Sequence, residues 1–322
     1  MDFHRLEEEI SGTFSGSILA SMGSEVVFKK SFGLANVEFQ VGNTPSTKYR
    51  IWSITKLFTA VAIMMLVERG RLTPEQTIDR YFPDEPVLNQ RITIRHLLTH
   101  TSGIHSYTSS ADFDTTWNKQ PLGMEGVLRL IRQYPPCFAP GADTAYNNSA
   151  YFLLGSIIEK VTGESYAAYL KRMIFDPLGM SHTGLEDNYT IIPGMANGYS
   201  QGEAGLRKCE YTDIETAFSA GGLYSTVEDL HQWDQALHAD RLISRDTRAE
   251  MMTEQSSGYG LGFRIGEMLG RRMVGHSGSY RGFRGRYDRF PDEQASIIVL
   301  SNVDVPIEGI SEAVATTLFE CN

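Results

Sequence analysis

Strand-like segments lie at both ends of this 322-residue chain, and a long helical stretch separates them. Near the start, residues 13–22 and 25–33 read as two strands joined by a tight turn at Gly23, which predicts an antiparallel hairpin. Strand-like runs return late in the chain, at 259–265, 272–275 and 295–301. An amphipathic helix over 310–319 is expected to close the chain.

Helical patterns dominate the middle of the chain. They cover residues 92–98, 123–133, 149–162 and 165–174, and proline and glycine interrupt them. Before them, residues 57–68 are apolar almost all round, which predicts a helix buried in the interior and ended by Gly70. After them, Ser225 and Glu228 form a capping-box pattern that predicts a helix over 228–237.

This order of segments predicts an α+β fold, in which an antiparallel sheet with packed terminal helices is combined with an inserted all-α domain. The length accommodates two domains of ordinary size. We expect residues 1–70 and 217–322 to form the sheet domain and residues 71–216 to form the mostly helical domain.

Composition excludes several classes of protein. The chain is 41% hydrophobic and 21% charged, as in ordinary globular proteins. Its net charge of −10 offers no basic field to phosphate backbones, so we expect no nucleic-acid partner. The longest apolar stretch, residues 57–67, is much shorter than the roughly 20 residues that span a bilayer, so no membrane span is predicted.

The cysteines and the amino terminus bear on the cellular compartment. Cys137, Cys209 and Cys321 are odd in number and widely spaced, which favours thiols over a disulfide framework or a metal clamp. Residues 1–10 carry three consecutive glutamates and lack the pattern of a secretory signal. We therefore predict a cytoplasmic protein, unless the chain was trimmed from an exported precursor.

Ser53 and Lys56 form the one Ser-x-x-Lys pair in the sequence. On a helix this spacing places both side chains on one face, a turn apart. A serine at a helix start faces free backbone N–H groups, and a lysine in a dry site can lose its proton and act as a base. The motif is short enough to occur by chance, so it needs support from other residues.

Two later segments carry further candidate groups. Tyr146 and Asn148 precede a predicted helix; a phenol can relay protons if nearby cations lower its pKa, and an amide can bind a substrate carbonyl. The alternative is a packed tyrosine and an asparagine N-cap. His276, Gly278 and Ser279 follow a strand, where a substrate could lie along the edge and backbone N–H groups could face an oxyanion. The alternative is an ordinary glycine-rich strand end.

In this order, the three motifs resemble those of the serine beta-lactamase-like, penicillin-binding protein family. The similarity is to the branch that contains class C beta-lactamases, D,D-peptidases, D-aminopeptidases and carboxylesterases. Further segments resemble recurrent segments of the family, at 96–103, 153–159, 175–180 and 219–226. The resemblance thus spans the chain, and it implies an α/β sandwich, an all-α domain and an active site between them.

The resemblance also implies a role for each candidate residue. Ser53 would be the acylated nucleophile, and Lys56 would take or shuttle its proton. Tyr146 would act as general base and later as acid, and Asn148 would contact the substrate amide. Whether Lys56 or Tyr146 is the base for acylation stays open.

The third motif and one neighbouring residue depart from the beta-lactamases. The backbone N–H groups of Ser53 and Ser279, the residue after Gly278, would form the oxyanion hole. His276 stands where class C beta-lactamases have a lysine, so a permanent positive charge is missing and efficient beta-lactam hydrolysis is not expected. Trp52 replaces a small residue before the nucleophile and is expected to narrow the pocket.

Other histidines and arginines permit different interpretations. His96 and His100 are four residues apart on a predicted helix, and His105 follows, which suggests zinc; the glutamate of a metalloprotease helix is missing, so we expect neither metal nor cofactor. Three arginines follow the strand motif, namely Arg281, Arg284 and Arg286. They could bind a substrate carboxylate or lie solvated on the surface.

We therefore predict a penicillin-reactive serine hydrolase that forms an acyl-enzyme with small esters or with peptides and amides containing D-amino acids. Its partner would be a small ester, peptide or beta-lactam substrate. The alternatives are a weak beta-lactamase and a non-hydrolytic binding or scaffold protein of the same fold. The filled nucleophile and base positions favour the hydrolase.

Overall fold

The computed structural model describes residues 2–88 and 91–320. Its strands are β1 (Gly16–Met22), β2 (Glu25–Phe32), β3 (Leu34–Asn36), β4 (Val41–Gly42), β5 (Tyr49–Arg50), β6 (Gly184–Leu185), β7 (Tyr199–Gly202), β8 (Gly205–Lys208), β9 (Leu223–Ser225), β10 (Arg264–Met268), β11 (Arg271–Tyr280), β12 (Phe283–Phe290), β13 (Ala295–Ser301) and β14 (Val303–Asp304). Its α-helices are α1 (Phe3–Ile10), α2 (Thr55–Glu68), α3 (Ile94–Leu98), α4 (Gly123–Arg132), α5 (Asn148–Thr162), α6 (Tyr166–Leu170), α7 (Asp176–Leu178), α8 (Phe218–Gly221), α9 (Val227–His238), α10 (Arg245–Met251) and α11 (Glu308–Glu320).

The main sheet has six strands in the order β10-β11-β12-β13-β1-β2, and every neighbouring pair is antiparallel. The predicted hairpin of β1 and β2 pairs through β13 with strands from the end of the chain. Both termini therefore build one sheet, and the predicted α+β class is confirmed.

The two faces of this sheet bury different parts of the molecule. Alternation along β13 sends Val299 to one face and Ile298 to the other. The first face packs against Leu6 of α1 and Leu318 of α11. The second face joins the large core around α2, whose residues from Thr55 to Leu66 are all buried. This burial explains why the sequence of α2 is apolar all round.

Two local predictions were wrong. Tyr259 makes only isolated β-bridges, residues 260–262 bend, and the strand begins at Arg264, because Gly258 and Gly262 adopt positive φ values of 78° and 90°. The helix near 228 is capped by Thr226, whose side chain accepts the Asp229 N–H at 3.1 Å. The Ser225 hydroxyl instead contacts Thr183 at 2.7 Å.

The segment 71–216 is mostly helical as far as Leu178, but it also contains β6, β7 and β8. β6 pairs with β9 and β7 pairs with β14, so these strands join the segment to its neighbours in the chain. The domain boundaries at 70 and 217 stay predictions. None of the described helices is both long and apolar enough to cross a membrane.

Two of the three cysteines fall within the described residues, and both carry free thiols. Cys137 is exposed and Cys209 is half-buried. Cys321 lies outside the described residues.

Candidate active site

Ser53 lies on a short 3-10 turn, Trp52–Ile54, directly before α2. The sequence predicted a position in the first turn of the helix, and the 3-10 turn places Ser53 just outside it. Trp52 has a φ of 44°, a left-handed conformation that costs a non-glycine residue about 1–3 kcal/mol. The Trp52 ring lines the cleft beside Ser53 and meets Tyr280 edge-on at 5.2 Å. Surrounding structure therefore holds Ser53 in a strained backbone segment.

Lys56 is fully buried one turn after Ser53. Its Nζ lies 3.2 Å from Ser53 Oγ, 2.7 Å from Asn148 Oδ1 and 2.7 Å from the Ala220 carbonyl oxygen. All three partners are neutral. Burial lowers the pKa of Lys56 well below its ordinary value. The lysine therefore loses its proton more readily than a lysine in water.

The Tyr146 hydroxyl lies 2.6 Å from Ser53 Oγ. Lys56 Nζ stands 4.8 Å above the centre of the same ring. The packing of protein around the phenol raises the pKa of Tyr146 above its ordinary value, an effect that solvent moderates because 39% of the residue is exposed. From the sequence, proton relay by Tyr146 was expected only if nearby cations lowered its pKa. The pKa of Tyr146 is raised, so this condition is not met. Tyr146 carries its proton at neutral pH and donates it in the hydrogen bond to Ser53 Oγ.

Asn148 is the first residue of α5, and Asn147 is its N-cap, with Oδ1 accepting the Ala150 N–H at 2.9 Å. The interpretation of Asn148 as a helix cap was therefore wrong. Its side chain instead accepts from Lys56 and donates through Nδ2 to Thr108 Oγ1 at 2.8 Å. One N–H of this amide stays available to a substrate carbonyl in the cleft that Asn148 lines.

The end of β11 passes directly beside Ser53. β10 pairs only with 271–275 of β11, so no strand of the described residues lies beside the edge from His276 to Tyr280 on that side. Gly278 lies against the backbone of Ser53: a Cβ atom there would be 3.0 Å from Ser53 N. Ser279 lines the cleft with Ser53. An open strand edge of this kind has backbone groups that an extended chain can pair with.

His276 is a neutral group at this edge. Burial lowers the pKa of His276 to about 3. Its Nδ1–H donates to the Ser277 carbonyl oxygen at 2.6 Å, which leaves Nε2 as an acceptor without a partner among the described residues. The imidazole therefore adds no positive charge to the site.

The cleft around Ser53 has a volume of about 220 Å³. Aromatic rings form much of its wall, from Trp52, Tyr107, Phe113 and Tyr280. Asp114 is the one charged residue that lines it among the described residues. Such a cleft has room for a small, largely apolar group.

The histidines considered for zinc are separated by the fold. α3 ends at Leu98, so His96 and His100 do not share a helix face. His96 Nδ1 accepts the Thr93 N–H at 3.1 Å, whereas His100 Nδ1 accepts the Asn147 N–H at 3.0 Å. Within residues 2–88 and 91–320, no group of three or more His, Cys, Asp or Glu side chains is arranged to hold a metal ion.

The three arginines after the strand motif are paired with carboxylates. Arg281 contacts Glu210 at 3.0 Å, Arg284 contacts Asp304 at 2.7 Å, and Arg286 contacts Asp288 at 2.6 Å. Their side chains are between 16% and 31% exposed, so they are neither freely solvated nor part of the wall around Ser53.

Sequence reasoning missed groups that act through tertiary contacts. The Ala220 carbonyl and the Thr108 hydroxyl hold Lys56 and Asn148. Ala220 lies in the segment 219–226 that was singled out on resemblance, but its role as a partner of Lys56 was not anticipated, and no local pattern marks Thr108. His100 was considered only as a metal ligand, yet its ring packs on Tyr146 with 4.7 Å between ring centres. The available signal for His100 was its place in the segment 96–103, which was singled out because it resembles a recurrent segment of the family.

Comparison with known proteins places this geometry in a family. The sequence profile of the Beta-lactamase family matches residues 3–315. The chain is 29% identical over 318 residues to penicillin-binding protein 4* of Bacillus subtilis, covering 92% of this chain and 69% of that protein. The first curated relatives extend beyond it, since the chain spans 59–69% of their length.

Solved structures agree in fold. A penicillin-binding protein from Bacillus halodurans superposes with a TM-score of 0.85 at 27% identity, with 98% of each chain covered. A D-stereospecific amidohydrolase from a Streptomyces species superposes with a TM-score of 0.79 at 26% identity, covering 94% of this chain and 93% of the other. With a family match across nearly its whole length, the chain belongs to the beta-lactamase family and is a serine hydrolase of that superfamily.

Proposed function

We propose that this chain hydrolyses small esters, or amides and peptides containing D-amino acids, through an acyl-enzyme on Ser53. The observation that carries the proposal is the arrangement around Ser53 Oγ, with Tyr146 at 2.6 Å and Lys56 at 3.2 Å. Lys56 is buried, and its lowered pKa favours the neutral amine, which can accept a proton. Tyr146 keeps its proton and can donate it. An arrangement of this kind serves an activated serine nucleophile.

The hydrogen bonds of Lys56 favour it as the base for acylation. A neutral amine has two N–H donors and one lone pair. Asn148 Oδ1 and the Ala220 carbonyl are acceptors, so they take both donors. The lone pair then faces Ser53 Oγ, which is the geometry needed to receive the serine proton.

The reaction would run in two halves. Ser53 Oγ attacks the substrate carbonyl as its proton passes to Lys56, and the carbonyl oxygen gains a negative charge. We assign the backbone N–H groups of Ser53 and Ser279 to that charge. Tyr146 then protonates the departing alcohol or amine, and the proton on Lys56 restores the tyrosine. In the second half, water attacks the acyl carbonyl, gives up a proton through the same groups, and releases Ser53.

The residues proposed for this chemistry come from both predicted domains. Ser53, Lys56 and His276 belong to 1–70 and 217–322, whereas Tyr146 and Asn148 belong to 71–216. We propose that the two segments form the predicted domains and that the cleft between them is the active site. A substrate would then contact both.

Three observations support the proposed substrates. The cleft is small and largely aromatic, which suits short acyl groups. The exposed edge of β11 suits a peptide-like substrate, and the chain is similar in structure to a D-stereospecific amidohydrolase. His276 supplies no fixed charge for a substrate carboxylate, so we propose that penicillins acylate Ser53 and leave slowly.

A fluorophosphonate probe tests the proposal directly. We expect covalent labelling of the native protein at Ser53 and none in Ser53→Ala, whose fold should be unchanged because a single hydroxyl is lost. A folded native protein that stays unlabelled would support the binding or scaffold alternative. Comparing kcat/KM for nitrocefin, short-chain nitrophenyl esters and D-Ala-terminated peptides then identifies the preferred substrate.

A further inference from the structure

His100 holds the segment that contains Tyr146 from both sides. Its carbonyl oxygen accepts the Ala145 N–H at 3.0 Å, and its Nδ1 accepts the Asn147 N–H at 3.0 Å. These two bonds flank Tyr146 in the chain. The position of the Tyr146 backbone therefore depends on a residue 46 positions earlier.

The imidazole of His100 also supports the Tyr146 ring. The two ring centres are 4.7 Å apart at an interplanar angle of 41°. Tyr151 and Tyr259 pack against other parts of the imidazole, at 5.1 Å and 4.8 Å. His100 is only 1% exposed, so it has no room to move away from Tyr146.

The chemistry of the imidazole is matched to this role. Because Nδ1 accepts a backbone N–H, the neutral ring must carry its proton on Nε2. A second proton would set N–H against N–H and break the bond to Asn147. Burial lowers the pKa of His100 well below its ordinary value, which keeps the ring neutral.

The backbone of His100 is strained as well. Its φ of 61° lies in the left-handed region, where a non-glycine residue is held only by its surroundings. Such strain persists where several contacts determine one conformation. Here those contacts are the two bonds to the Tyr146 segment and the stack of aromatic rings.

We infer that His100 is a positioning residue that holds the Tyr146 hydroxyl on Ser53 Oγ, an inference that rests on the proposed hydrolase function. His100 is not one of the residues that line the cleft around Ser53, and the ring that it supports, Tyr146, is bonded to Ser53 Oγ. Loss of His100 should therefore slow the chemical step while leaving substrate binding intact.

Two substitutions separate the two contacts of the ring. His100→Phe keeps an aromatic face but loses the acceptor for Asn147. His100→Asn keeps an oxygen acceptor and tolerates positive φ, but loses the ring. His96→Phe is the matched control, because His96 Nδ1 also accepts a backbone N–H, that of Thr93, without touching Tyr146.

The assay is hydrolysis of a short nitrophenyl ester, with fluorophosphonate labelling of Ser53 and thermal unfolding measured in parallel. We expect His100→Phe to lower kcat by at least about tenfold with KM within about twofold, since small displacements of catalytic groups have effects of this size or larger. The kcat of His100→Asn should lie between those of His100→Phe and the native protein. His96→Phe should match the native kcat.

Several results would overturn the inference: an effect confined to KM, an unchanged kcat in His100→Asn, or an equal loss in His96→Phe. If His100→Phe does not fold, the kcat of His100→Asn decides. Failure of the proposed function is distinguishable, because the native protein itself would then escape labelling at Ser53.

Discussion

Gly278 lies so close to Ser53 that no side chain fits between them. A Cβ atom on Gly278 would be 3.0 Å from Ser53 N and 2.1 Å from the carbonyl oxygen of Ile51. The strand edge and Ser53 are thus in close backbone contact, which keeps Ser279, the residue after Gly278, near the Ser53 N–H with which we propose that it forms the oxyanion hole.

Gly278→Ala should therefore displace β11 from the 3-10 turn that carries Ser53. We expect kcat for ester hydrolysis to fall by about 100-fold, because a shift near 1 Å is enough for such a loss. Gly266→Ala is the control, since its Cβ would meet only Met273 Cε at 3.7 Å. Equal activity in the two variants would show that the close approach does not matter for catalysis.

The lowered pKa of Lys56 predicts a particular pH dependence. Burial favours the neutral amine, so the base is active above its pKa and protonated below it. We expect kcat/KM to rise with pH through that pKa and to reach a plateau well below the ordinary lysine range. Lys56→Met should lose this rising limb together with most of kcat. A native profile that rises only near pH 10 would contradict a neutral Lys56.

The neutral His276 predicts discrimination against carboxylate-bearing substrates. With the pKa of His276 lowered to about 3 by burial, the ring is uncharged at pH 7.5, and neutral short esters should be better substrates than cephalosporins. His276→Lys should shift the ratio of kcat/KM values toward cephalosporins. An unchanged ratio, or a native protein that prefers cephalosporins, would contradict the role given to charge at this position.

A buried ion pair predicts a difference in stability away from the active site. Arg289 and Asp234 join β12 to α9, with side chains 2% and 1% exposed, and the Tyr287 hydroxyl also donates to Asp234 at 2.6 Å. Asp234→Asn leaves the guanidinium without a charged partner, so we expect a loss of about 3–5 kcal/mol in unfolding free energy.

The exposed pair between Lys29 and Glu228 provides the control for this measurement. Both side chains are 40% exposed, so Lys29→Met should cost less than about 1 kcal/mol. Denaturant unfolding measures both variants. Losses of similar size would show that burial of Asp234 does not govern the strength of its pair.

Local patterns in the sequence determined the main elements of the fold. The hairpin of β1 and β2 and the strand β13 were recognisable because short runs of apolar and β-branched residues bounded by turn residues are a property of contiguous residues. The buried helix α2 was recognisable from its uninterrupted apolar run. The strand expected from residue 259 failed because Gly258 and Gly262 permitted bends in the backbone that tertiary contacts then selected.

The motifs also indicated which residues to consider in the active site. Ser53 and Lys56 are one turn apart, so their proximity follows from helix geometry alone. Tyr146 and His276 were candidates from their chemistry, but only the resemblance connected them with Ser53, since nothing local to either residue reveals a neighbour some 90 or 220 positions away. The structure brings both of them to the same cleft region as Ser53.

Only the tertiary structure decided the chemical state of these groups. A lysine pKa depends on burial and on partners, and the partners of Lys56 come from residues 148 and 220. The phenol of Tyr146 keeps its proton and His276 stays neutral for the same reason. Packing by distant parts of the chain removes solvent around both side chains, which disfavours their charged forms. The support that His100 gives Tyr146 likewise depends on chain segments that meet only after folding.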